Sequence, residues 1–120
     1  MAYRLLYADD ERPLRELVKD QLTYEGFEVE TAEDGNDAIE KINRLKFDLV
    51  LLDIRMPGLD GIGVLGYLKT QKVRPRVIMV TGVGDVDVAL QAVRLGANDF
   101  VTKPFELSEL LDSIHRVLSR

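Results

Sequence analysis

Apolar and polar positions along the chain follow two alternating rhythms. Five short segments, Tyr3–Ala8, Glu28–Ala32, Leu49–Leu52, Arg76–Val80 and Phe100–Thr102, read as β-strands. Three of them are continuous apolar runs, as expected for parallel strands covered on both faces. Between the strands the apolar residues recur at helical spacing. Leu14, Leu17, Val18 and Leu22 mark one face of a first helix that starts at Pro13, a favoured first helical position, and stops at Gly26. Ala38, Ile39 and Ile42 mark a second helix, Ile62–Leu68 a third, and Leu107, Leu110, Leu111, Ile114 and Leu118 a fifth. A fourth helix is apolar on two sides. Its wheel sets Val86, Ala89, Leu90, Val93 and Ala97 against the sheet, and Val88, Ala92 and Leu95 on the opposite face. An outward apolar stripe of that kind marks a partner surface.

Five strand–helix units predict an α/β fold: a (βα)5 doubly wound three-layer sandwich with right-handed crossovers. The parallel sheet order 2-1-3-4-5, flavodoxin-like, is borrowed from known doubly wound proteins. Residues 1–120 form one domain, without repeat, low-complexity tract or linker.

Composition narrows the chemistry. A net charge of −5 argues against this domain binding nucleic acid through a broad basic face. There is no cysteine, hence no disulfide and no thiolate zinc site. No apolar run approaches membrane-spanning length and the N-terminus shows no secretion signal, so the cytoplasm is the expected location. His115, the single histidine, falls on the last helix and is expected to face solvent without a function.

The residues at the strand ends carry the functional signal. Asp9-Asp10-Glu11 follows the first strand, Asp53 ends the third, Thr81-Gly82 follows the fourth, and Thr102-Lys103-Pro104-Phe105 ends the fifth. In an open α/β sheet these carboxyl ends form the ligand-binding edge. Clustered carboxylates repel one another and call for a hard divalent cation, and acids without His or Cys favour Mg²⁺ over zinc. The set suits phosphoryl transfer onto Asp53, with Lys103 and Thr81 stabilising phosphoryl oxygens. Each residue also has a plainer role. Asp9 and Asp10 favour the dipole of the first helix, and Thr81 could cap the fourth, although Asp85 is better placed to do so. Lys103 alone would be a solvated lysine, and Phe100 fits core packing as well as it fits a switch.

These motifs, together with the stretch LLDIRMPGLDG around Asp53 and DFVTKPF from Asp99, resemble the receiver domain of two-component response regulators over essentially the whole chain. The resemblance implies that Asp53 is the phosphoacceptor, charged by a sensor histidine kinase or phosphotransfer protein. It implies Mg²⁺ held by Asp10, by Asp9 partly through water, by Asp53 and by the backbone carbonyl of Arg55. Thr81 and Phe100 become the switch pair, Lys103 the phosphoryl-binding cation, and Lys103-Pro104 a cis peptide. The domain would be no enzyme in its own right, but would assist its own phosphorylation and dephosphorylation. Arg55 and Val83 lie where the family tunes water access. A phosphorylation-dependent homodimer would use the fourth helix, fifth strand and fifth helix. An arginine that pairs across the dimer in the winged-helix subfamily is replaced here by Ser113, so that ion-pair set is not expected. DIRMPGLDG and TGVGDVDVALQAVRLGANDFVTKPF resemble receivers of the nitrogen-regulation and dicarboxylate-transport activators. Those carry ATPase and DNA-binding domains, so the chain is either stand-alone or a piece of such a regulator of transcription.

Two other functions fit the topology less well. An aspartyl-phosphate phosphohydrolase would carry its nucleophile in an Asp-x-Asp motif after the first strand, which Asp9-Asp10-Glu11-Arg12-Pro13 does not match. A flavin carrier would need a hydroxyl- and glycine-rich phosphate loop where the acids stand.

Overall fold

The computed structural model describes residues 2–120, with the Val83 side chain left aside. The elements run β1 (Arg4–Ala8), α1 (Arg12–Tyr24), β2 (Glu28–Ala32), α2 (Gly35–Arg44), β3 (Leu49–Asp53), α3 (Gly61–Lys69), β4 (Arg76–Thr81), α4 (Val86–Arg94), β5 (Asp99–Thr102) and α5 (Leu107–Leu118). A 3-10 turn over Val83–Asp85 leads into α4. The strands form one parallel sheet in the order β2-β1-β3-β4-β5, as expected.

Why the strands are apolar on both sides follows from the pleat. Leu5, Tyr7, Leu49, Leu51, Ile78 and Val80 point to one face and pack with Val18 and Leu22 of α1 and Leu110, Ile114 and Val117 of α5. Leu6, Ala8, Val50, Leu52, Val77 and Met79 point to the other and pack with α2, α3 and α4. With both faces covered, the one polar edge open to chemistry is the end of the strands. The β1–β3 pairing sets Ala8 beside Leu52. The next residues, Asp9 and Asp53, therefore emerge side by side.

Two helix faces differ from the sequence reading. Leu17 does not share the buried face of Val18 and Leu22; it is 52% exposed. On α4 the buried face is rotated from the expected one: Ala89 and Ala97 are buried and Leu95 is exposed as read, but Leu90, Val93, Val88 and Ala92 change sides. Ala92 is fully buried beside Ala89, and Val88 packs against the core. Leu90 and Val93 join Leu95 as the exposed apolar residues. The wheel failed because it carried the helix through Ala97. The helix ends at Arg94, and Gly96, at a φ of 116° that favours glycine, turns the chain so that Ala97 is buried from the loop. Without Ala97 the inward seam is Val88, Ala89 and Ala92, small residues that let the helix lie close on the sheet. The partner stripe read as Val88, Ala92 and Leu95 is thus corrected to Leu90, Val93 and Leu95.

Candidate functional site

Asp53 closes β3 and is nearly buried, whereas Asp9 follows β1 and is fully buried. Asp10 is exposed beside them. Each of the three offers a carboxylate oxygen, and these oxygens lie within 4.8 Å of one another. Lys103 bridges the two buried acids, its Nζ standing 2.8 Å from Asp9 Oδ2 and 2.8 Å from Asp53 Oδ2. Glu11 Oε1 is a weaker third partner at 3.3 Å. The lysine is anchored at its backbone, where its amide donates to the Thr81 carbonyl at 2.6 Å; the Lys103-Pro104 peptide bond is cis, as the resemblance implies. Asp53 Oδ1 accepts from the Arg55 amide at 3.2 Å.

Asp9 is tied on both oxygens. Oδ1 accepts from the Glu11 amide at 2.9 Å, and Oδ2 accepts from the buried Tyr7 hydroxyl at 2.6 Å. Its carbonyl accepts from Arg15 Nη1 at 2.8 Å, which anchors the loop to α1.

The electrostatics reflect this crowding. Burial pushes the Asp53 carboxyl up to about 6; Lys103 pulls it back, the Asp9 charge adds to the rise, and the Arg55 amide opposes it. Burial also disfavours the Lys103 ammonium, but Asp53 and Asp9 more than offset that and hold it above its ordinary value. Burial and then the Asp9 carboxylate keep the Tyr7 phenol protonated well above its usual range. The three hard oxygen donors of Asp9, Asp10 and Asp53, two of them paired with a single lysine, fit a hard divalent cation, and no softer ligand is among them.

Thr81 ends β4 fully buried, and its hydroxyl donates to the Gly82 carbonyl at 3.1 Å. Phe100 on β5 is half-buried against the core beneath α4. Asp85 stands at the N-cap position of α4, but its side chain does not cap the helix. It takes Arg55 instead, as a two-pronged ion pair at 2.6 and 2.9 Å. Arg55 holds the Asp85 carboxyl below its ordinary range, and Asp85 raises Arg55 in return. This pair links the loops after β3 and β4. The side chain of Val83, paired with Arg55 in the sequence reading, lies outside the described residues.

Ser113 is buried and donates to Asp99 Oδ2 at 2.7 Å, alongside Arg116 at 2.7 Å. Burial pushes the Asp99 carboxyl up, but Arg116, Ser113 and the Phe100 amide together hold it below its ordinary range. His115 is exposed, with its ring 6.1 Å from that of Phe27.

Sequence reading missed Tyr7, the Arg55–Asp85 pair and the Asp99 cluster. A tyrosine two positions before an acid at a strand end was the available signal for the first, because residues i and i+2 share a face. The other two join residues distant in sequence, and no local pattern marks them.

Five parallel strands in this order, with acids, a hydroxyl and a lysine on one edge, define a receiver fold. The response regulator receiver domain family matches residues 5–115, and the chain belongs to it. It is a phosphorylation-dependent signalling receiver, of a family that takes its phosphoryl group from histidine kinases and binds Mg²⁺ at an acidic pocket. Among curated relatives it is 39% identical over 120 residues to the chemotaxis protein CheY of Bacillus subtilis, covering 99% of this chain and 100% of that protein. It is 38% identical to the regulatory protein AtoC of Escherichia coli, covering 96% of this chain but 25% of that protein. The crystal structure of the NtrX receiver domain from Brucella abortus superposes with a TM-score of 0.90 at 39% identity, over 96% of this chain and 98% of that one. No helix among the described residues is long and apolar enough to cross a membrane.

Proposed function

We propose that Asp53 is the phosphoacceptor of this receiver. The observation that carries the reading is Lys103 held 2.8 Å from both Asp53 and Asp9 at the open edge of the sheet. An oxygen of the Asp53 carboxylate attacks phosphorus in line. The bond from phosphorus to the donor histidine nitrogen breaks as the phosphorus–oxygen bond forms, and the histidine keeps the electron pair. Lys103 stays near the transferred group and balances its charge. Thr81 rotates its hydroxyl from the Gly82 carbonyl toward a phosphoryl oxygen, and Phe100 turns inward to fill the space. Asp9, Asp10, Asp53 and the Arg55 carbonyl would hold Mg²⁺, which would supply charge neutralisation for the phosphoryl oxygens. The same residues serve hydrolysis, in which a water oxygen attacks phosphorus, the bond to the Asp53 oxygen breaks, and inorganic phosphate leaves with the Asp53 carboxylate restored.

The output follows the switch. Movement at Thr81 and Phe100 repositions α4, whose exposed Leu90, Val93 and Leu95 then meet a partner, most simply a second copy. The chain spans the full length of its chemotaxis relative but about a quarter of AtoC and of FleR from Pseudomonas aeruginosa. Control of transcription through attached domains is the reading that the larger relatives favour.

Incubation with acetyl phosphate and Mg²⁺, followed by intact-mass measurement, is expected to add one phosphoryl group to wild type and none to Asp53→Asn. Equal labelling of the two would overturn the assignment.

A further inference from the structure

We infer that Tyr7 is a positioning residue for the phosphoacceptor site: its hydroxyl holds the Asp9 carboxylate so that Lys103 is shared with Asp53 and not captured by Asp9. This rests on the reading of Asp9, Asp10 and Asp53 as the cation site.

Tyr7 lies fully buried on β1, two residues before Asp9 and on the same face. Its ring packs among the core residues between the sheet and the α1–α5 layer. Packing alone would be served by any large apolar side chain, and a buried hydroxyl demands a partner. It finds one in Asp9 Oδ2 at 2.6 Å, a short, charge-assisted bond. The same oxygen faces Lys103 Nζ, while Oδ1 is taken by the Glu11 amide. Asp9 is thereby satisfied on both oxygens by neutral donors before the lysine is counted.

The neutrality of the phenol matters. It orients the carboxylate and fills a lone pair without cancelling the negative charge, so Asp9 stays attractive to a cation. Without the hydroxyl, the opened lone pair belongs to a carboxylate that has no water-exposed surface of its own, and the nearest group able to fill it is the Lys103 cation. Lys103 would lean toward Asp9 and away from Asp53. An added divalent cation would also relieve a greater electrostatic debt at Asp9 than it does in wild type.

Tyr7→Phe keeps the ring and removes the hydroxyl alone. Mg²⁺ titration of this variant is expected to give a dissociation constant tighter than wild type by on the order of 10-fold. In the metal-free variant, the NMR signals of the Lys103 Cε and Nζ are expected to shift relative to wild type. A merely structural role would lower the melting temperature and leave both readouts unchanged, and that result, or weaker Mg²⁺ binding, overturns the inference. A wild type that binds no Mg²⁺ overturns the cation reading, while the metal-free Lys103 signals still test Tyr7 alone. Should Tyr7→Phe fail to fold, wild type itself serves. A slowly exchanging hydroxyl proton is expected on Tyr7 and on none of the exposed tyrosines, and it should move on Mg²⁺ addition; its absence counts against the bond.

Discussion

At the scale of single residues, Asp53 and Lys103 pull stability in opposite directions. The Asp53 carboxyl sits at about 6 in the folded protein, above the unfolded value of about 4. The folded state therefore binds more protons than the unfolded state between those two values. The stability from that proton is complete below about pH 4 and is lost as pH rises through about 6. In metal-free buffer, wild type is expected to weaken across this window, whereas Asp53→Asn should lose most of that slope. At pH 7 the variant is expected to be more stable by about 1–3 kcal/mol. Denaturant melts at several pH values check this, and parallel slopes for the two proteins would refute it. Lys103→Ala should do the reverse. It leaves two buried acids without their cation, at a cost of about 3 kcal/mol in metal-free buffer. Mg²⁺ should then bind that variant at least as well as wild type and restore more of its stability. Melting temperatures with and without millimolar Mg²⁺ decide the point. The two substitutions touch one network, so their effects are not expected to add.

The elements around the site owe their placement to close backbone contacts. Gly61 opens α3 against the end of β3, where its amide donates to the Ile54 carbonyl at 3.1 Å. A Cβ there would collide with the Asp53 carbonyl oxygen, which is backbone and cannot swing aside. Gly61→Ala is expected to cost about 2–4 kcal/mol and to slow phosphorylation, because the chain segment carrying Asp53 must shift. A variant that melts like wild type and phosphorylates at its rate would show that the loop yields freely. The helices also mark where sequence reasoning falters. On α1 and α5 large aliphatic residues make the buried face plain, Leu17 excepted. On α4 Asp87, Gln91 and Arg94 mark one polar face, but apolar residues spread over more than half of the helix around it, so hydropathy does not say which of them sits at the buried centre. Closeness of approach chooses it, and Ala89 and Ala92 win over Leu90 and Val93 because they fit under the helix.

For the whole molecule, the outward apolar residues on and just after α4 would, on the proposed function, give phosphorylation a route to self-association. Leu90, Val93 and Leu95 are exposed next to the strand that carries Phe100. Dimerisation coupled to the switch requires the partner to favour the switched form, typically by about 1–3 kcal/mol. Light scattering with beryllofluoride in place of the phosphoryl group is expected to show wild type gaining mass and Leu95→Glu remaining monomeric. A wild type of constant mass, or a variant that pairs equally well, would remove this surface from the mechanism.

The strands, their parallel sense and the strand ends that bear Asp9, Asp10, Asp53, Thr81 and Lys103 were legible from sequence, while the sheet order that makes neighbours of Asp9 and Asp53 was borrowed from known doubly wound proteins. Continuous apolar runs suit strands buried on both faces, and acids placed directly after such strands emerge at the sheet's end. Which groups actually touch was a different matter. Lys103 is separated from Asp9 by most of the chain, and Arg55 meets Asp85 across two loops. Tyr7 looked like one more apolar strand residue until the pleat aimed its hydroxyl at Asp9. The orientation of α4 likewise waited on where Gly96 ended it. Hydrophobic periodicity encodes which side of an element is buried when one side is clearly more apolar. The partner a buried polar atom finds is set by the three-dimensional register of distant segments, and local sequence carries no record of it.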